Sequence, residues 1–218
     1  MTHFIKKVFG TIKGFFFTVR CPYCGRVIEP NKSCCDKCRK EFPEMPLVRY
    51  ATGGYICASP FPYDGIFRRA VLNFKFHNCG AYAELLSHVR SIKDVYRDRE
   101  FDLVTCVPMH KDTLRKRGYN QAELLAKECA RLLGIEYADL LAKTKKNKTQ
   151  HSIKAAERAK NVIGVYSPID KNLIKGKRIL IMDDIITTGS TLGECARILN
   201  KCKCGEICCC TLCTSLLI

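Results

Sequence analysis

The sequence lacks several features that identify a protein class at once. No apolar run approaches the roughly 20 residues that a membrane-spanning helix needs. Basic residues interrupt the apolar start of the chain and no small-x-small cleavage site follows it, which argues against a secretion signal. The Gly-x-x-x-x-Gly-Lys-Ser/Thr pattern of nucleotide triphosphatases is absent, and no internal repeat is visible. We therefore expect a cytoplasmic protein without a transmembrane segment.

Acidic residues are scarce relative to basic ones. The 218-residue chain has 21 acidic and 37 basic residues, which gives a formal net charge of +16. This excess favours polyanionic partners such as nucleic acid, anionic lipid or phosphorylated ligands, although it is also common as a solubility device. Hydrophobic residues make up 47% of the chain, so we expect a packed protein with one ordinary α/β core and a small appendage.

The chain has sixteen cysteines, and four of them have the spacing of a zinc site. Cys21 and Cys24 form one Cys-x-x-Cys pair, and Cys35 and Cys38 form a second. Each pair can make a tight turn whose sulfurs converge, and the intervening loop brings the two pairs together. Four thiolates leave no open position for chemistry, so we predict a structural Zn²⁺ in a module over residues 1–45. The alternative is four buried free thiols.

Strand-like and helix-like segments alternate over a predicted second domain, residues 46–218. This alternation, with continuously apolar strands, predicts an α/β fold with a mainly parallel sheet flanked by helices. Residues 1–45 are predicted to comprise a short amphipathic helix at 4–19 and the cysteine module, and a Pro/Gly-rich hairpin-like entry is expected at 39–62. Strands are predicted at 55–59, 101–107, 135–141, 162–166, 178–182 and 206–212, the last containing several cysteines as small apolar residues. Helices are predicted at 63–92 in two pieces, at 121–133 and at 191–201. The apolar face of the helix at 121–133 is predicted to consist of Leu124, Leu125, Leu132 and Leu133.

Residues 177–191 carry the most informative pattern. A buried strand is predicted to end in Asp183 and Asp184, and a hydroxyl-rich loop then leads into a helix. Such a loop at a helix N-terminus, beyond the carboxyl end of a strand, is typical of a phosphate site. Its members are Thr187, Thr188, Gly189, Ser190 and Thr191, and the glycine would let the backbone approach the anion closely. Two acids beside a phosphate site suit a ligand that presents hydroxyls or a metal ion.

Structural interpretations compete at two positions near these motifs. Thr191 followed by Glu194 is a capping-box pattern, so the role of Thr191 could be only to cap its helix.

The strand at 101–107 leads to a basic segment, which contains His110, the run Arg115-Lys116-Arg117 and Gly118. In a parallel sheet this segment lies at the same edge as the acids and is suited to a diphosphate. The basic run alone is more often a solvated face, and Asn120 with Glu123 is again a capping-box pattern.

The stretch 179–191 resembles the signature of the type I phosphoribosyltransferases, an apolar strand, two acids and a Thr-Thr-Gly-x-Thr loop. The resemblance implies that Asp183 and Asp184 hold ribose hydroxyls and that residues 187–191 hold the 5′-phosphate of 5-phosphoribosyl 1-diphosphate. It also implies Mg²⁺ as the companion of the diphosphate.

The order of motifs along nearly the whole chain resembles the ComF family of competence-linked, phosphoribosyltransferase-like proteins. After the zinc module come Phe74-Lys75-Phe76, the Val-Pro…Arg-x-Arg-Gly-Tyr-Asn-Gln segment, Glu157-Arg158 and the acidic loop. The resemblance implies a diphosphate loop at 107–118 with Arg117 and a mobile flap at 143–161 with Arg158. The flap departs from the family, because lysines stand where an arginine is usual, and lysine lacks the bidentate fork.

Two functions remain open from the sequence. The first is an enzyme that transfers phosphoribose to an unknown acceptor, which a hood at 55–76 with Tyr63, Arg69 and Lys75 would shape. The second is a factor for DNA uptake or recombination that binds single-stranded DNA, with other DNA-uptake proteins as partners, and need not catalyse transfer.

Overall fold

The structure is a computed structural model that describes residues 19–29, 32–76, 89–145 and 161–215. The predicted helix at 4–19, apart from its last residue, lies outside the described residues. The same holds for the central part of the predicted flap, including Arg158.

Strands and helices alternate through the described part of the chain. Before the sheet lies helix α1 (Asp36–Arg39), followed by the hairpin and its extension, β1 (Leu47–Ala51), β2 (Tyr55–Ser59) and β3 (Phe61–Pro62). The middle of the chain forms α2 (Gly65–Phe76), α3 (Val89–Val95), β4 (Leu103–Cys106), α4 (Lys111–Arg117), α5 (Gln121–Leu133) and β5 (Glu136–Tyr137). The remainder forms β6 (Leu141–Lys143), β7 (Tyr166–Pro168), α6 (Lys171–Ile174), β8 (Arg178–Ile186), α7 (Ser190–Lys201) and β9 (Glu206–Thr214).

Seven strands of the described residues form one sheet in the order β1-β2-β9-β8-β4-β5, with β3 also paired to β9. The hairpin strands β1 and β2 are antiparallel, and every other pairing in this sheet is parallel. Strands β6 and β7 form a separate antiparallel pair. The predicted, mainly parallel sheet is therefore confirmed, and the hairpin forms its antiparallel edge.

Strand β8 lies in the middle of the sheet and is buried on both faces. Leu180 and Met182 pack into one cluster with α2, α5 and the residues of the cysteine module. Ile179 and Ile181 point to the other face and pack against α7 and the β6–β7 pair. Because successive side chains of a strand alternate, this arrangement requires a continuously apolar strand, as the sequence has.

Helix α5 spans residues 121–133, as predicted, and ends at Gly134, whose φ of 71° gives a left-handed cap. Its predicted apolar face is partly wrong, because Leu132 is 43% exposed. The buried face instead consists mainly of small residues, including Ala122, Ala126 and Cys129. Small side chains let the helix lie close to the sheet, so size rather than hydrophobicity selects this face.

Three strand predictions need correction. Residues 161–164 form a turn, with Gly164 at a φ of 67°, and strand β7 begins only at Tyr166. The segment at 135–141 is divided between β5 and β6. Strand β8 does not end at Met182 but continues to Ile186, because its pairing with β9 continues as far as Thr214. The cysteine-rich β9 is a buried strand, as predicted, with Cys208, Cys209, Cys210 and Cys213 all buried.

Candidate functional site

The acid pair lies near the carboxyl end of β8, within the strand rather than after it. The last turn of α2 crosses this edge, and Lys75 Nζ lies 2.8 Å from Asp184 Oδ2. Both side chains are mostly buried, with exposed fractions of 20% for Lys75 and 15% for Asp184. The pair is therefore a partly desolvated ion pair between elements that are far apart in the sequence.

Asp183 is the more strongly perturbed acid. Burial and the neighbouring charge of Asp184 raise the pKa of Asp183 to about 7, although its Oδ1 accepts a 2.8 Å hydrogen bond from the Asp184 backbone N–H. The positive charges of Lys75 and Lys143 oppose the rise. Burial also lowers the pKa of Lys143, which lies at the end of β6 with its Nζ 5.5 Å from the Tyr166 ring centroid. Asp183 therefore changes its protonation state near neutral pH.

The hydroxyl loop follows β8 and is organised by its own side chains. Thr188 Oγ1 lies 2.9 Å from Ser190 Oγ and 3.4 Å from the Ser190 backbone nitrogen. Helix α7 begins at Ser190 with Gly189 as its N-cap, and no side chain caps it. Thr191 therefore lies inside the first turn, and its predicted capping box is wrong.

Glu194, the other half of that predicted capping box, makes different contacts. Its carboxylate accepts bonds from the Arg197 guanidinium at 2.6 and 2.7 Å and from the Gly164 backbone N–H at 3.0 Å. The contact to Gly164 joins α7 to the turn that precedes β7. The hydroxyl of Thr191 is consequently not required to start the helix.

Two glycines of the loop and helix make room for the hairpin rather than only for an anion. A Cβ at Gly189 would lie 2.7 Å from Ala51 Cα, and one at Gly193 would lie 2.3 Å from the Thr52 carbonyl oxygen. The Thr52 backbone N–H donates to the Gly189 carbonyl at 3.2 Å. The close approach that the sequence assigned to a ligand is thus made, at Gly189, by the backbone of the β1–β2 hairpin.

The segment between β4 and α5 lies at the same edge of the sheet, as predicted, because the Val107 backbone N–H donates to the Met182 carbonyl at 2.9 Å. Its basic run forms the last turn of α4, and Arg117 Nη1 donates to Gln121 Oε1 at 2.8 Å. A cavity of about 500 Å³ separates this segment from β6. Its lining includes the polar side chains of His110, Lys111, Asn120, Asp139, Lys143 and Thr144.

The structural interpretation of Asn120 is satisfied, and His110 has a structural contact that the sequence did not predict. His110 caps α4 by accepting from the Asp112 backbone N–H at 3.2 Å. Asn120 accepts from the Ala122 backbone N–H at 3.2 Å and donates to the Val107 carbonyl at 3.0 Å. Asn120 thereby holds the start of α5 against the end of β4 and fixes the position of the segment between them.

The four predicted zinc ligands converge. The sulfurs of Cys21, Cys24, Cys35 and Cys38 all lie within 4.8 Å of one another. A tight turn with Gly25 at a φ of 78° brings the first pair together, and the second pair flanks and enters α1. Four converging thiolates suit a tetrahedral Zn²⁺ and leave no position for a substrate.

The cysteine module packs on the sheet domain through aromatic rings. Tyr23, which lies between two of the ligands, is 1% exposed. Its ring centroid lies 5.1 Å from that of Phe42, 6.0 Å from Phe61 and 5.8 Å from Phe67. Edge-to-face rings at these distances attract one another in addition to the apolar area that they bury. The module is therefore continuous with the core on one face of the sheet.

Within the described ranges, no second group of three or more metal-ligating side chains comes together, and the cysteines near the carboxyl end form none. No helix in the described part of the chain is both long and apolar enough to cross a membrane.

Comparisons with known proteins identify the family of the chain. Residues 120–216 match the model of the phosphoribosyl transferase domain. The chain is 30% identical over 211 residues to "Competence protein ComFC" of Bacillus subtilis, covering 93% of this chain and 78% of that protein. It is 29% identical over 194 residues to "Competence protein F" of Haemophilus influenzae, covering 86% of this chain and 81% of the relative. The chain belongs to the ComF family.

The ComF chain has the type I phosphoribosyltransferase fold, a mainly parallel sheet flanked by helices. Among solved structures it is similar to adenine phosphoribosyltransferase of Saccharomyces cerevisiae, with a TM-score of 0.38 and 14% identity, covering 84% of this chain and 90% of that one. The matched domain includes the acid pair and the hydroxyl loop of this ComF chain but begins after the predicted diphosphate segment.

One contact of the ComF site was not predicted. Lys75 was expected only as part of an acceptor hood, and its ion pair with Asp184 follows from how α2 crosses the sheet edge. No local pattern signals this pairing, since the two residues are separated by most of the domain. The predicted roles of Arg117 and Arg158 stay predictions, and Arg158 lies outside the described residues.

Proposed function

We propose that this ComF protein binds 5-phosphoribosyl 1-diphosphate, with Asp183 and Asp184 on the ribose hydroxyls and residues 187–191 on the 5′-phosphate. The observation that carries the proposal is the continuity of one strand–loop–helix unit at the carboxyl edge of the sheet. Strand β8 carries the two acids, and the loop after it provides hydroxyls and backbone N–H groups at the start of α7. A helix of 12 residues gives its N-terminus a partial positive charge that favours a phosphate.

The expected Mg²⁺ fits the donor set of this site. Asp183 and Asp184 offer carboxylate oxygens, which this cation prefers together with phosphate oxygens. Bound with the donor, Mg²⁺ would neutralise the diphosphate and so favour its departure. The chain itself contributes Lys143, whose charge acts on Asp183, and Lys111, which lines the cavity beside the diphosphate segment; both suit the remaining phosphate charge.

The reaction that we propose is transfer of the phosphoribosyl group to an acceptor nucleophile. The acceptor forms a bond to C1 of the ribose, and the bond from C1 to the diphosphate oxygen breaks with its electron pair on the diphosphate. The acceptor's proton passes to solvent or to a base outside the assigned residues. Fixed cations around the leaving group stabilise the transition state in which this charge develops. We propose Arg117 and, on the flap, Arg158 for the same task.

The ribose role is tested with Asp184→Asn. Saturation of the wild-type protein with the donor and Mg²⁺ at 100 times Kd should stabilise it by about 2.7 kcal/mol, which appears as a higher Tm. Asp184→Asn should lose most of this stabilisation, because an amide replaces the charged acceptor of the diol. Asp98→Asn, at an exposed acid before β4, is the matched control and should keep it. An equal rise of Tm in both variants would refute the ribose role.

A second candidate is a DNA-handling role in competence, and two observations favour it. The chain carries a net charge of +16, and both relatives reported above are named competence proteins. Counterion release makes such binding steeply dependent on salt. We expect a fluorescently labelled oligothymidylate to bind at low salt and to dissociate as salt increases. Failure to bind at low salt would remove this candidate, with its proposed DNA-uptake partners.

A further inference from the structure

Lys75 is the one cation that the described residues bring into direct contact with the acid pair, at 2.8 Å from Asp184. Both partners have lost most of their water, with exposed fractions of 20% and 15%. A partly desolvated charge is costly to leave without a counter-charge, since surrounding water can no longer replace the lost partner. Whatever moves one of these charges must therefore supply another.

The last turn of α2 lies between the proposed ribose site and the diphosphate segment. Phe74 accepts a hydrogen bond at its carbonyl from the Tyr119 hydroxyl, and the two ring centroids are 6.2 Å apart. Tyr119 directly follows Gly118, which ends α4. The residue before Lys75 is thus tied to the diphosphate segment, while Lys75 itself reaches Asp184.

This position creates a conflict with ribose binding. A ribose hydroxyl that donates to Asp184 competes with the ammonium of Lys75 for the same carboxylate. If the ribose diol displaces the ammonium from Asp184, Lys75 loses its counter-charge in a partly desolvated site. The donor brings a replacement of its own, because its diphosphate leaves from the ribose carbon adjacent to the diol.

We propose that Lys75 pairs with Asp184 in the free protein and with the diphosphate of the donor in the complex. This inference rests on the proposed function and adds a specificity-determining residue to it. Lys75 then raises the affinity for a ligand that carries a diphosphate and lowers the affinity for ribose 5-phosphate, which lacks one. In the transfer step it stabilises the charge that accumulates on the departing diphosphate.

The experiment compares two ligands, each with Mg²⁺, by isothermal titration calorimetry: 5-phosphoribosyl 1-diphosphate and ribose 5-phosphate. Lys75→Met should weaken the diphosphate ligand about tenfold or more, as expected for a lost charge-assisted hydrogen bond in a half-buried site. It should leave ribose 5-phosphate unchanged or tighter, because no ion pair must open. Lys75→Arg should restore the preference for the diphosphate ligand. Lys93→Met, an exposed lysine of α3, should behave as wild type.

Each alternative result is informative. If Lys75→Met weakens both ligands by the same factor, Lys75 only neutralises the acids and the inference is wrong. An unchanged affinity for the diphosphate ligand overturns it as well. If the wild-type protein binds neither ligand, the proposed function itself fails. Lys75→Gln, which keeps a polar side chain, provides a second variant with the same expectation should the methionine variant unfold, and thermal unfolding of each variant checks the fold.

Discussion

The four-cysteine cluster and the acid–hydroxyl site are assembled from the chain in two different ways. All four sulfurs come from 18 consecutive positions, residues 21–38, and a turn and one short helix bring them within 4.8 Å. The acid–hydroxyl site draws on separate elements, because β8 and α7 supply its motif, α2 supplies Lys75 and the hairpin backbone packs against its loop. The first region therefore forms within one short segment that can hold a metal ion, and the second depends on the packing of distant segments.

The largest loss of stability is expected from disrupting the four-cysteine cluster. Cys21→Ser should abolish zinc binding and destabilise the protein by roughly 5 kcal/mol or more, because metal binding supplies the folding energy of such modules. The loss extends to the core, since Tyr23 of the module packs against Phe61 and Phe67. Metal content by intact mass and urea unfolding measure the two effects.

Cys34→Ser is the matched control for this change. Cys34 is 6% exposed and adjacent to a ligand, but it is not among the four sulfurs that converge. It should keep one metal per chain and lose far less stability. Equal loss of metal in both variants would contradict the assignment of ligands.

A smaller but still substantial effect should follow from disturbing the packing around the second region. Gly193→Ala places a Cβ 2.3 Å from the Thr52 carbonyl oxygen, so the hairpin must separate from α7. We expect a loss of about 3 kcal/mol by urea unfolding, as for other overpacked interiors. Donor-induced stabilisation should fall as well, because the hydroxyl loop moves with its helix.

Gly134→Ala separates the packing effect from simple backbone strain. Gly134 has a left-handed φ of 71°, but a Cβ there would meet open space. Alanine in this conformation should cost about 1 kcal/mol. If the two alanine variants lose the same stability, close approach of the hairpin is not what requires Gly193.

A third effect, smaller than that of Gly193→Ala, concerns the proton of the acid pair. The pKa of Asp183 is raised from 3.8 to about 7, so the folded state keeps a proton that the unfolded chain loses between these values. This group therefore makes stability fall as pH rises from about 4 to 7. Asp183→Asn should remove that fall and, above pH 7, exceed the wild-type stability by about 2 kcal/mol, a value reduced for partial exposure.

Urea unfolding at pH 5 and pH 8 measures this dependence, with Asp98→Asn as the control for a lost exposed charge. The difference between Asp183→Asn and wild type should grow with pH. Parallel profiles would mean that Asp183 is ionised throughout and that Lys75 and Lys143 compensate its burial fully.

Much of the molecule follows from local patterns in the sequence. The cysteine spacing determined the metal cluster, since each Cys-x-x-Cys turn closes without help from the rest of the chain. The apolar runs determined β8 and β9, and Gly134 determined the end of α5. The acids and hydroxyls at 183–191 indicated the class of site, because strand, loop and helix are adjacent in the sequence. The resemblance to the ComF family was confirmed by relatives that match over most of the chain.

Only the tertiary structure decided what surrounds that motif. It showed that β8 continues through the acids, because a strand ends where its pairing with β9 ends. It brought Lys75 to Asp184 and the hairpin backbone to Gly189 and Gly193, contacts that depend on where α2 and the β1–β2 hairpin pack. The tertiary structure also leaves Leu132 exposed, because the face of α5 that packs closely on the sheet consists mainly of smaller residues. These contacts join positions far apart in the chain, so no local pattern specifies them.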